Sequence, residues 1–288
     1  MYPPAFEYQA PDTLEGALAA LAELGDEGRV LAGGQSLIPM MKFHLAAPAH
    51  LVDINRISEL SYIRRSNGSL CIGALARHND VVRSDDAKAS DVVSSAAPWI
   101  SDPLVRNRGT VCGSVAHCDP EGDWNSVMLA ARAEVMVQGS SGSRRVGIDD
   151  FIVSYFTNSL ETGEMVTGVC VPIPSGATGG SYMKLERKIG DYATVGVATQ
   201  LELADDGSIA QAGIGLTAVN YQNTRASAAE DMLAGEMPSD ELFAEAAAAA
   251  ASASDPQTDV RGDADWKRNV VAVFTRRGLA QALASAGS

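Results

Sequence analysis

The sequence predicts an α+β protein of two domains, and three observations support this fold class. Residues 29–42 predict a strand, a glycine turn and the start of a helix. Proline and glycine fill residues 172–180, a composition typical of a linker. After this linker, three strand-like runs precede three helical ones, as in a sheet covered by helices. With 288 residues, the chain is long enough for two hydrophobic cores.

The first elements form a small βαβ-like unit. Residues 13–24 carry apolar side chains at helical spacing, with Thr13 suited to the N-cap and Gly25 to the C-terminal cap. Short apolar runs at residues 29–31 and 50–54 predict buried strands on either side of a second, short helix.

The turn between the first of these strands and its helix contains Gly33 and Gly34. Such a junction presents unpaired backbone N–H groups and the positive end of a helix dipole, and glycine has no Cβ to hold a ligand away. The turn therefore favours a phosphate site. The alternative interpretation is an ordinary βα turn in which Ser36 caps the helix.

The middle of the chain predicts a hairpin, followed by mixed helices and strands. Asn67 and Gly68 form a strong hairpin turn signal between strands at residues 62–64 and 70–72. Residues 100–124 follow no single period and are interpreted as a long functional loop. Helices are expected around 78–82, 91–99, 125–133 and 149–156, and strands around 134–138 and 164–171. A further strand is expected from the end of a turn at 139–142 to residue 148.

The part after the linker predicts an antiparallel sheet and three helices. Strands are expected at 180–185, 194–203 and 209–219, and helices at 224–233, 239–253 and 264–283. The last helix places apolar side chains roughly on one stripe, so it is expected to pack on the sheet. These side chains are Val270, Val271, Phe274, Leu279 and Leu283.

Charge and hydropathy exclude several classes of partner. The net charge is −14, from 22 basic and 36 acidic side chains, which disfavours nucleic acid and anionic membrane surfaces. No apolar run approaches the ~20 residues that span a bilayer, and the first residues lack the pattern of a signal peptide. We therefore expect a cytoplasmic protein.

Cysteine and histidine spacing gives no support for a metal centre. The cysteines fit neither zinc-ligand nor iron–sulfur spacing, so reduced, structural thiols are expected. The histidines form no metal-binding pair and are expected at the surface or at helix caps. These residues are Cys71, Cys112, Cys118 and Cys170, and His44, His50, His78 and His117.

A second glycine-bearing stretch strengthens the phosphate hypothesis. Thr110 and Ser114 flank Gly113 with hydroxyl groups, so this stretch and the first turn could hold one diphosphate from two sides. Neither stretch matches the G-x-G-x-x-G or the G-x-x-x-x-G-K-[ST] motif, which indicates a site of another kind. Arg106 and Arg108 either supply cations for the diphosphate or form surface ion pairs.

Three ordered segments carry a resemblance that spans nearly the whole chain. Residues 32–37 (AGGQSL), 102–114 (DPLVRNRGTVCGS) and 187–193 (RKIGDYA) resemble the FAD-binding medium subunit of molybdenum hydroxylases. That family includes the flavoprotein subunit of carbon monoxide dehydrogenase and the flavin domain of xanthine dehydrogenase. Residues 259–262 (DVRG), with Arg276 and Arg277, resemble the end of the same subunit.

The resemblance implies a specific domain organisation. Residues 1–174 would form a two-part FAD-binding domain of the vanillyl-alcohol-oxidase (PCMH) type, with subdomains at about 1–57 and 58–174. Residues 181–288 would form an α+β domain with a three-stranded antiparallel sheet, which closes over the flavin.

The resemblance also implies a set of cofactor-binding residues. Asp123 would bind FAD through sugar hydroxyls, Val166 and Lys184 would contact the flavin, and Tyr192 would stack on its ring. A lysine near the flavin would stabilise the reduced anionic form; the alternative is a solvated lysine at a strand end. The diphosphate would be held by Val30, Leu31, Ala32, Gly33, Gly34, Gln35, Ser36 and Leu37 on one side and by Thr110, Val111, Cys112, Gly113 and Ser114 on the other.

Two positions depart from the family pattern. Cys112 stands where the family has glycine, and Ser114 where it often has asparagine. A side chain at position 112 could shift the grip on the diphosphate, although the backbone N–H is kept. Asp119 also fits the family, but it could equally be a turn residue, and it ranks second to Asp123.

The implied function is electron transfer within a complex. A large subunit with a molybdenum cofactor would hydroxylate the substrate, and a small subunit with two [2Fe–2S] clusters would relay electrons to FAD in this chain. The complex would be a heterotrimer or a dimer of heterotrimers, and the substrate (carbon monoxide, an N-heterocycle or an aldehyde) and the acceptor (O2, NAD or a quinone) stay open. The alternatives are a stand-alone FAD-dependent oxidoreductase and a flavin-free structural subunit, the latter suggested by Cys112.

Overall fold

The structure, a computed structural model, describes residues 2–287, so the predicted domain ends at residues 1 and 288 lie outside it. Its strands are β1 (Glu7–Gln9), β2 (Gly28–Leu31), β3 (His50–Asp53), β4 (Ile63–Ser66), β5 (Ser69–Gly73), β6 (Glu134–Gly139), β7 (Gly142–Gly147), β8 (Ile152–Ser154), β9 (Thr157–Asn158), β10 (Met165–Pro172), β11 (Ala177–Leu185), β12 (Val195–Leu203), β13 (Ile209–Thr217) and β14 (Thr224–Arg225). Its α-helices are α1 (Leu14–Leu24), α2 (Leu37–Lys42), α3 (His78–Arg83), α4 (Asp91–Ala96), α5 (Pro103–Arg106), α6 (Val111–His117), α7 (Asp123–Ala130), α8 (Ile148–Phe151), α9 (Ser227–Leu233), α10 (Asp240–Ser252) and α11 (Ala264–Ala286).

The first sheet confirms the predicted βαβ-like unit. Its three strands are parallel, in the order β1-β3-β2. The Thr13 side chain accepts a hydrogen bond from the Gly16 N–H and so caps α1, while Gly25 ends the helix at φ 54°. Both caps are those that the sequence predicts.

The second sheet is antiparallel, in the order β4-β5-β10-β6-β7. The predicted hairpin joins β4 to β5, with Asn67 at φ 50° and Gly68 at φ 72°. Positive φ at both central residues matches the right-handed twist of the strands.

A disulfide joins two neighbouring inner strands of this sheet, so the prediction of four reduced thiols is wrong for one pair. Cys71 in β5 lies directly opposite Cys170 in β10, with the Cα atoms 4.1 Å apart and the sulfur atoms bonded. The two residues are 99 positions apart in sequence, and only the register of the strands brings them together. Cys112 and Cys118 are free and buried.

Residues 100–124 are not a long loop as predicted, because α5 and α6 lie within them and α7 begins at Asp123. Asp102 caps α5 by accepting the N–H groups of Leu104 and Val105, and Thr110 caps α6. The predicted helix at 149–156 is also too long: α8 ends at Phe151, and the short β8–β9 hairpin follows.

The third sheet confirms an antiparallel C-terminal sheet, with order β11-β12-β13-β14. Three of its strands are long, and β14 adds two residues at the edge. β11 begins at Ala177, inside the predicted linker, which is therefore shorter than expected. Helix α11 packs on β11 and β12 and buries Val271 and Leu279 of the predicted stripe.

The third sheet lies directly against helices of the N-terminal part. Helix α7 packs on β12 and β13, and a Cβ on Gly213 or Gly215 would overlap the carbonyl oxygen of Ala130 or Ser126, respectively. Helix α4 packs on β11. The domain limits at 57, 174 and 181 stay predictions, and the three sheets fall within them except for the first residues of β11.

Within residues 2–287, none of the helices is both long and apolar enough to cross a membrane.

Candidate functional site

The first glycine turn lies between β2 and α2, as predicted. Gly34 has φ 72°, a conformation that glycine adopts without strain. Ser36 occupies the N-cap position, but its hydroxyl makes no capping hydrogen bond. Among the described residues, no protein acceptor receives the N–H groups of Gln35, Ser36 or Leu37. The turn thus presents free backbone donors and one free hydroxyl.

The second glycine-bearing stretch forms the N-terminus of α6. The Thr110 hydroxyl is 3.1 Å from the Gly113 N–H, from which it accepts the capping bond, so it is less available to a ligand than predicted. Gly113 itself is exposed and Ser114 is half-buried. This end of the helix therefore offers backbone groups and the Ser114 hydroxyl to the surroundings.

The Cys112 side chain points away from this exposed face. It is 2% exposed, and its thiol donates to the carbonyl oxygen of Ile72 at 3.5 Å. Burial raises the pKa of the Cys112 thiol to about 12. Cysteine at this position therefore fills the core and leaves the backbone at Gly113 open.

The two stretches touch each other. A Cβ on Gly33 would overlap the carbonyl oxygen of Arg108 and come within 2.7 Å of the Gly109 Cα. Only glycine at position 33 allows this approach, so the two stretches adjoin each other. We call residues 32–37 the first wall of the site and residues 108–114 the second wall.

A polar network that the sequence analysis missed holds these walls together. The Arg77 guanidinium donates to the carbonyl oxygen of Arg108 at 2.6 Å and to the side-chain oxygen of Asn55. Asn55 in turn donates to the carbonyl oxygen of Ala32 at 2.8 Å. Because Ala32 and Arg108 belong to the two walls, Arg77 and Asn55 act as a bridge between them.

The two arginines considered for the diphosphate differ in their surroundings. Arg106 donates to the carbonyl oxygens of Ile100 and Ser101, at 3.0 and 2.7 Å, and thus has a structural role. The Arg108 side chain is exposed and makes no hydrogen bond or ion pair within residues 2–287. Of the two, Arg108 alone has a guanidinium that is not already paired.

Asp123 and Lys184 form a buried ion pair between the N-terminal part and the third sheet. Lys184 Nζ lies 3.0 Å from Asp123 Oδ2, and the Tyr182 hydroxyl donates to Asp123 Oδ1 at 2.5 Å. Lys184 also donates to the carbonyl oxygen of Trp99 at 3.1 Å and lies 3.5 Å from Glu186. All three donors of the ammonium group thus face protein oxygens.

Burial raises the pKa of the Asp123 carboxyl, and the positive charge of Lys184 opposes that effect. Lys184 and the Tyr182 hydroxyl thus offset part of the cost of burying this carboxylate. The cofactor-binding roles predicted for Asp123 and Lys184 stay predictions. In this structure their side chains are held by protein groups, and Lys184 is not the solvated strand-end lysine of the alternative interpretation.

A cleft of about 220 Å³ opens beside the first wall, between the N-terminal part and the loop before β12. Gln35, Ser36 and Tyr192, all predicted site residues, line it together. The cleft is otherwise lined by Pro39, Met40, Phe43, Leu45, His117, Asp119 and Phe156. An apolar cavity with a few polar groups is the usual form of a site for a flat organic ligand.

Two titratable groups of the cleft are shifted by their surroundings. Burial raises the pKa of Tyr192 to about 12, and the negative charge of Asp119 adds to the effect. Burial also raises the pKa of Asp119, which accepts the Glu121 N–H at 2.9 Å. Asp119 is thus both the turn residue of one interpretation and part of the cleft.

Arg261, in the DVRG segment, fastens the loop that carries Tyr192. Its guanidinium lies 2.9 Å from Glu121 Oε2 and donates to the carbonyl oxygen of Ala193 at 3.2 Å. Ala193 directly follows Tyr192, and Glu121 belongs to the turn before α7. The resemblance marked the segment, but only the fold gives Arg261 a partner.

Other predicted residues lie apart from the cleft. Val166 is buried in β10 opposite Val137 and does not line the cleft. Residues 30–37 are half-buried except for Gly33, which is buried. The described residues contain no group of three or more metal-binding side chains.

His78 corrects the expectation of surface or capping histidines. It is 5% exposed, and its Nδ1 accepts the Trp124 indole N–H at 3.0 Å. Burial, with nearby Arg106 and Arg77, lowers the pKa of His78 to about 3. The ring is therefore neutral, and it packs against Gly109 behind the second wall.

Comparison with known families covers nearly the whole chain. The family described as "FAD binding domain in molybdopterin dehydrogenase" matches residues 4–174. The family described as "CO dehydrogenase flavoprotein C-terminal domain" matches residues 180–282.

Individual relatives match this chain over nearly its whole length. The carbon monoxide dehydrogenase medium chain of Hydrogenophaga pseudoflava is 38% identical over 280 residues, 97% of each chain. Subunit alpha of the 6-hydroxypseudooxynicotine dehydrogenase complex of Paenarthrobacter nicotinovorans is 37% identical and covers 98% of this chain and 96% of its own. In the solved structure of carbon monoxide dehydrogenase from Hydrogenophaga pseudoflava that lacks the Mo-pyranopterin moiety, one chain superposes with a TM-score of 0.94, at 40% identity and 99% coverage of each chain.

Proposed function

Because this chain belongs to the family of FAD-binding medium subunits of molybdenum hydroxylases, we propose that it is the electron-transfer subunit of such a complex. It receives electrons from [2Fe–2S] clusters of a small subunit and passes them to an external acceptor. Substrate oxidation takes place at the molybdenum cofactor of a large subunit.

The observation that carries this proposal is the contact between the two glycine walls. Gly33 packs so closely on Arg108 and Gly109 that a Cβ would overlap the second wall. The free N–H groups of residues 35–37 and the exposed backbone at Gly113 lie on these walls. A site of backbone donors bordered by glycines fits a diphosphate, even in a chain with a net charge of −14.

The residues present fit FAD along the rest of the site. Ser36 would add its hydroxyl to the diphosphate grip, and Arg108 would supply the unpaired cation. Tyr192 would provide the aromatic surface in the apolar cleft. When bound, FAD supplies the ability to accept and release electrons one or two at a time.

The buried charges have a positioning role in this proposal. Lys184 holds Asp123 at the start of α7 and Glu186 near the loop that carries Tyr192. Glu186 accepts the Gly190 N–H at 3.2 Å in that loop. The ion pair therefore links the cofactor domain to the cleft-lining loop, in addition to any contact with the cofactor itself.

The position of Cys112 disfavours a flavin-free structural subunit. Its side chain lies in the core, so it does not fill the space above the second wall. The departure from glycine that motivated this alternative therefore leaves the binding surface intact.

The partners and location follow from the same proposal. Two relatives are named as a medium chain and as a subunit of a dehydrogenase complex. We expect this chain to copurify with a molybdenum subunit and an iron–sulfur subunit, as a heterotrimer or a dimer of heterotrimers, from the cytoplasmic fraction.

The experiment that tests the proposal is identification of the cofactor. The complex is purified from its native host, acid-treated, and the released flavin is identified and counted. One FAD per chain is expected, together with iron and molybdenum in the partner subunits. Absence of flavin, even after incubation with FAD, would contradict the proposal.

A further inference from the structure

A row of four aromatic rings runs from the cleft to the protein surface. Ring centroids are 4.9 Å apart for His117 and Phe156, 4.4 Å for Phe156 and Tyr155, and 5.2 Å for Tyr155 and Tyr221. His117 and Phe156 line the cleft at the inner end. Tyr221 is 71% exposed at the outer end. We call these four residues the aromatic row.

The row is assembled from three separate parts of the fold. His117 ends α6, Tyr155 and Phe156 form the turn of the β8–β9 hairpin, and Tyr221 follows β13. Phe156 has φ 51°, an uncommon conformation for an aromatic residue, and its N–H donates to the carbonyl oxygen of Cys118 at 3.1 Å. The hairpin turn is thus fixed against α6 in a strained conformation, which places the ring at the cleft.

Packing alone does not explain the outer part of the row. Tyr155 is 47% exposed and Phe156 is 40% exposed, so three adjoining rings present apolar faces to the surroundings. A contiguous exposed aromatic surface beside a ligand cleft is typical of a binding surface. Flat aromatic molecules stack on such rings at low entropic cost.

The charges around the row are negative. Burial raises the pKa of Tyr155, and the carboxylates of Asp119 and Glu121 raise it further, which places both negative charges within electrostatic reach of its ring. Arg261 is the basic residue beside Glu121, and it is paired with that carboxylate at 2.9 Å. Asp119 makes no ion pair within residues 2–287, so an anionic ligand would meet the repulsion of this carboxylate, whereas a cation would be attracted.

We propose that the aromatic row is the docking surface for the external electron acceptor, and that it selects a planar aromatic oxidant that is neutral or cationic. The inference rests on the proposed function, because it presumes a redox cofactor in the adjoining cleft. It makes the row unsuitable for a dinucleotide acceptor, whose diphosphate carries negative charge.

The test measures binding to the oxidised complex, so that no turnover is required. Methylene blue serves as the cationic probe, menadione as the neutral one and anthraquinone-2,6-disulfonate as the anionic one. Equilibrium dialysis at low ionic strength gives Kd for each probe. The variants are Tyr221→Ala and Tyr221→Phe, with Phe6→Ala as a control at an exposed ring outside the row.

We expect saturable binding of methylene blue and menadione, and none of the disulfonate at the same concentrations. Tyr221→Ala should raise Kd about 5- to 10-fold, as expected for the loss of one stacked ring. Tyr221→Phe keeps the ring and should bind within about twofold of wild type, as should Phe6→Ala.

Three results would overturn the inference. One is equal probe binding in all variants, and another is disulfonate binding as tight as that of methylene blue. The third is loss of the partner subunits in Tyr221→Ala with unchanged probe binding, since the row would then be a protein interface. FAD content, measured on the same samples, tests the proposed function separately.

Discussion

Replacing Gly33 with alanine should weaken both FAD binding and the fold, by similar free energies. The new Cβ would overlap the carbonyl oxygen of Arg108 and lie 2.7 Å from the Gly109 Cα, so the two walls must move apart. Such overpacking costs about 1–3 kcal/mol of folding free energy. If the movement removes one charge-assisted hydrogen bond to the diphosphate, binding weakens by about 1.5–3 kcal/mol, a factor of about 10–150 in Kd.

The assay is titration of deflavinated protein with FAD, followed by flavin fluorescence, with a thermal melt of the same apo-protein. Gly147→Ala is the matched control, because Gly147 has φ −57° and only Asp150 Oδ2 lies near its Cβ position, at 3.8 Å. We expect Gly147→Ala to bind FAD as wild type does. If Gly33→Ala bound FAD with the wild-type Kd, the assignment of the two walls to the diphosphate would be wrong.

Three further predictions concern Arg261, His78 and the disulfide. Arg261→Met should raise the Kd for FAD about 3- to 10-fold, because loss of the partly buried ion pair with Glu121 and of the hydrogen bond to Ala193 releases the loop that carries Tyr192. Arg261→Lys should keep part of the wild-type affinity, and an unchanged Kd in both variants would show that Arg261 does not position this loop. The folded-state pKa of His78 is about 3 against about 6.5 in the unfolded chain, so between these values the unfolded state binds more protons and the contribution of His78 to stability falls as the pH drops. This one group should lower the free energy of unfolding at pH 5 by about 2 kcal/mol relative to pH 8, so denaturant titrations should show a difference smaller by about that amount in His78→Gln, and the same pH dependence in both proteins would contradict the neutral ring. Reduction of the disulfide between Cys71 and Cys170 should lower the free energy of unfolding of the wild type by about 2–5 kcal/mol. Reductant should not change the free energy of unfolding of Cys71→Ser, and an equal change in both proteins would contradict the disulfide.

The sequence predicts best those elements whose signals are local. The turn at Gly33 and Gly34 and the hairpin at Asn67 and Gly68 each require a backbone conformation that their residues favour, and both form where expected. Helices α5 and α6 were missed although Asp102 and Thr110 are good N-caps, because helices of four and seven residues are too short to show a period.

Pairings across the fold could not be predicted from spacing. Cys71 meets Cys170 because β5 and β10 are neighbours in one register, and Lys184 meets Asp123 because α7 packs on the third sheet. The environment of His78 likewise depends on Trp124, 46 residues away. The family resemblance located the segments that hold the site, but it did not reveal which side chains the fold has already paired.

The most direct test of the central claim is anaerobic reduction followed at the flavin absorbance band. The FAD-loaded chain alone and the whole complex are each mixed with candidate substrates: carbon monoxide, a purine and an aldehyde. The account predicts that the flavin bleaches only in the complex, with a substrate of that complex, because electrons reach it through the partner subunits. Bleaching of the isolated chain by any of these substrates would contradict the account and indicate a stand-alone flavoenzyme.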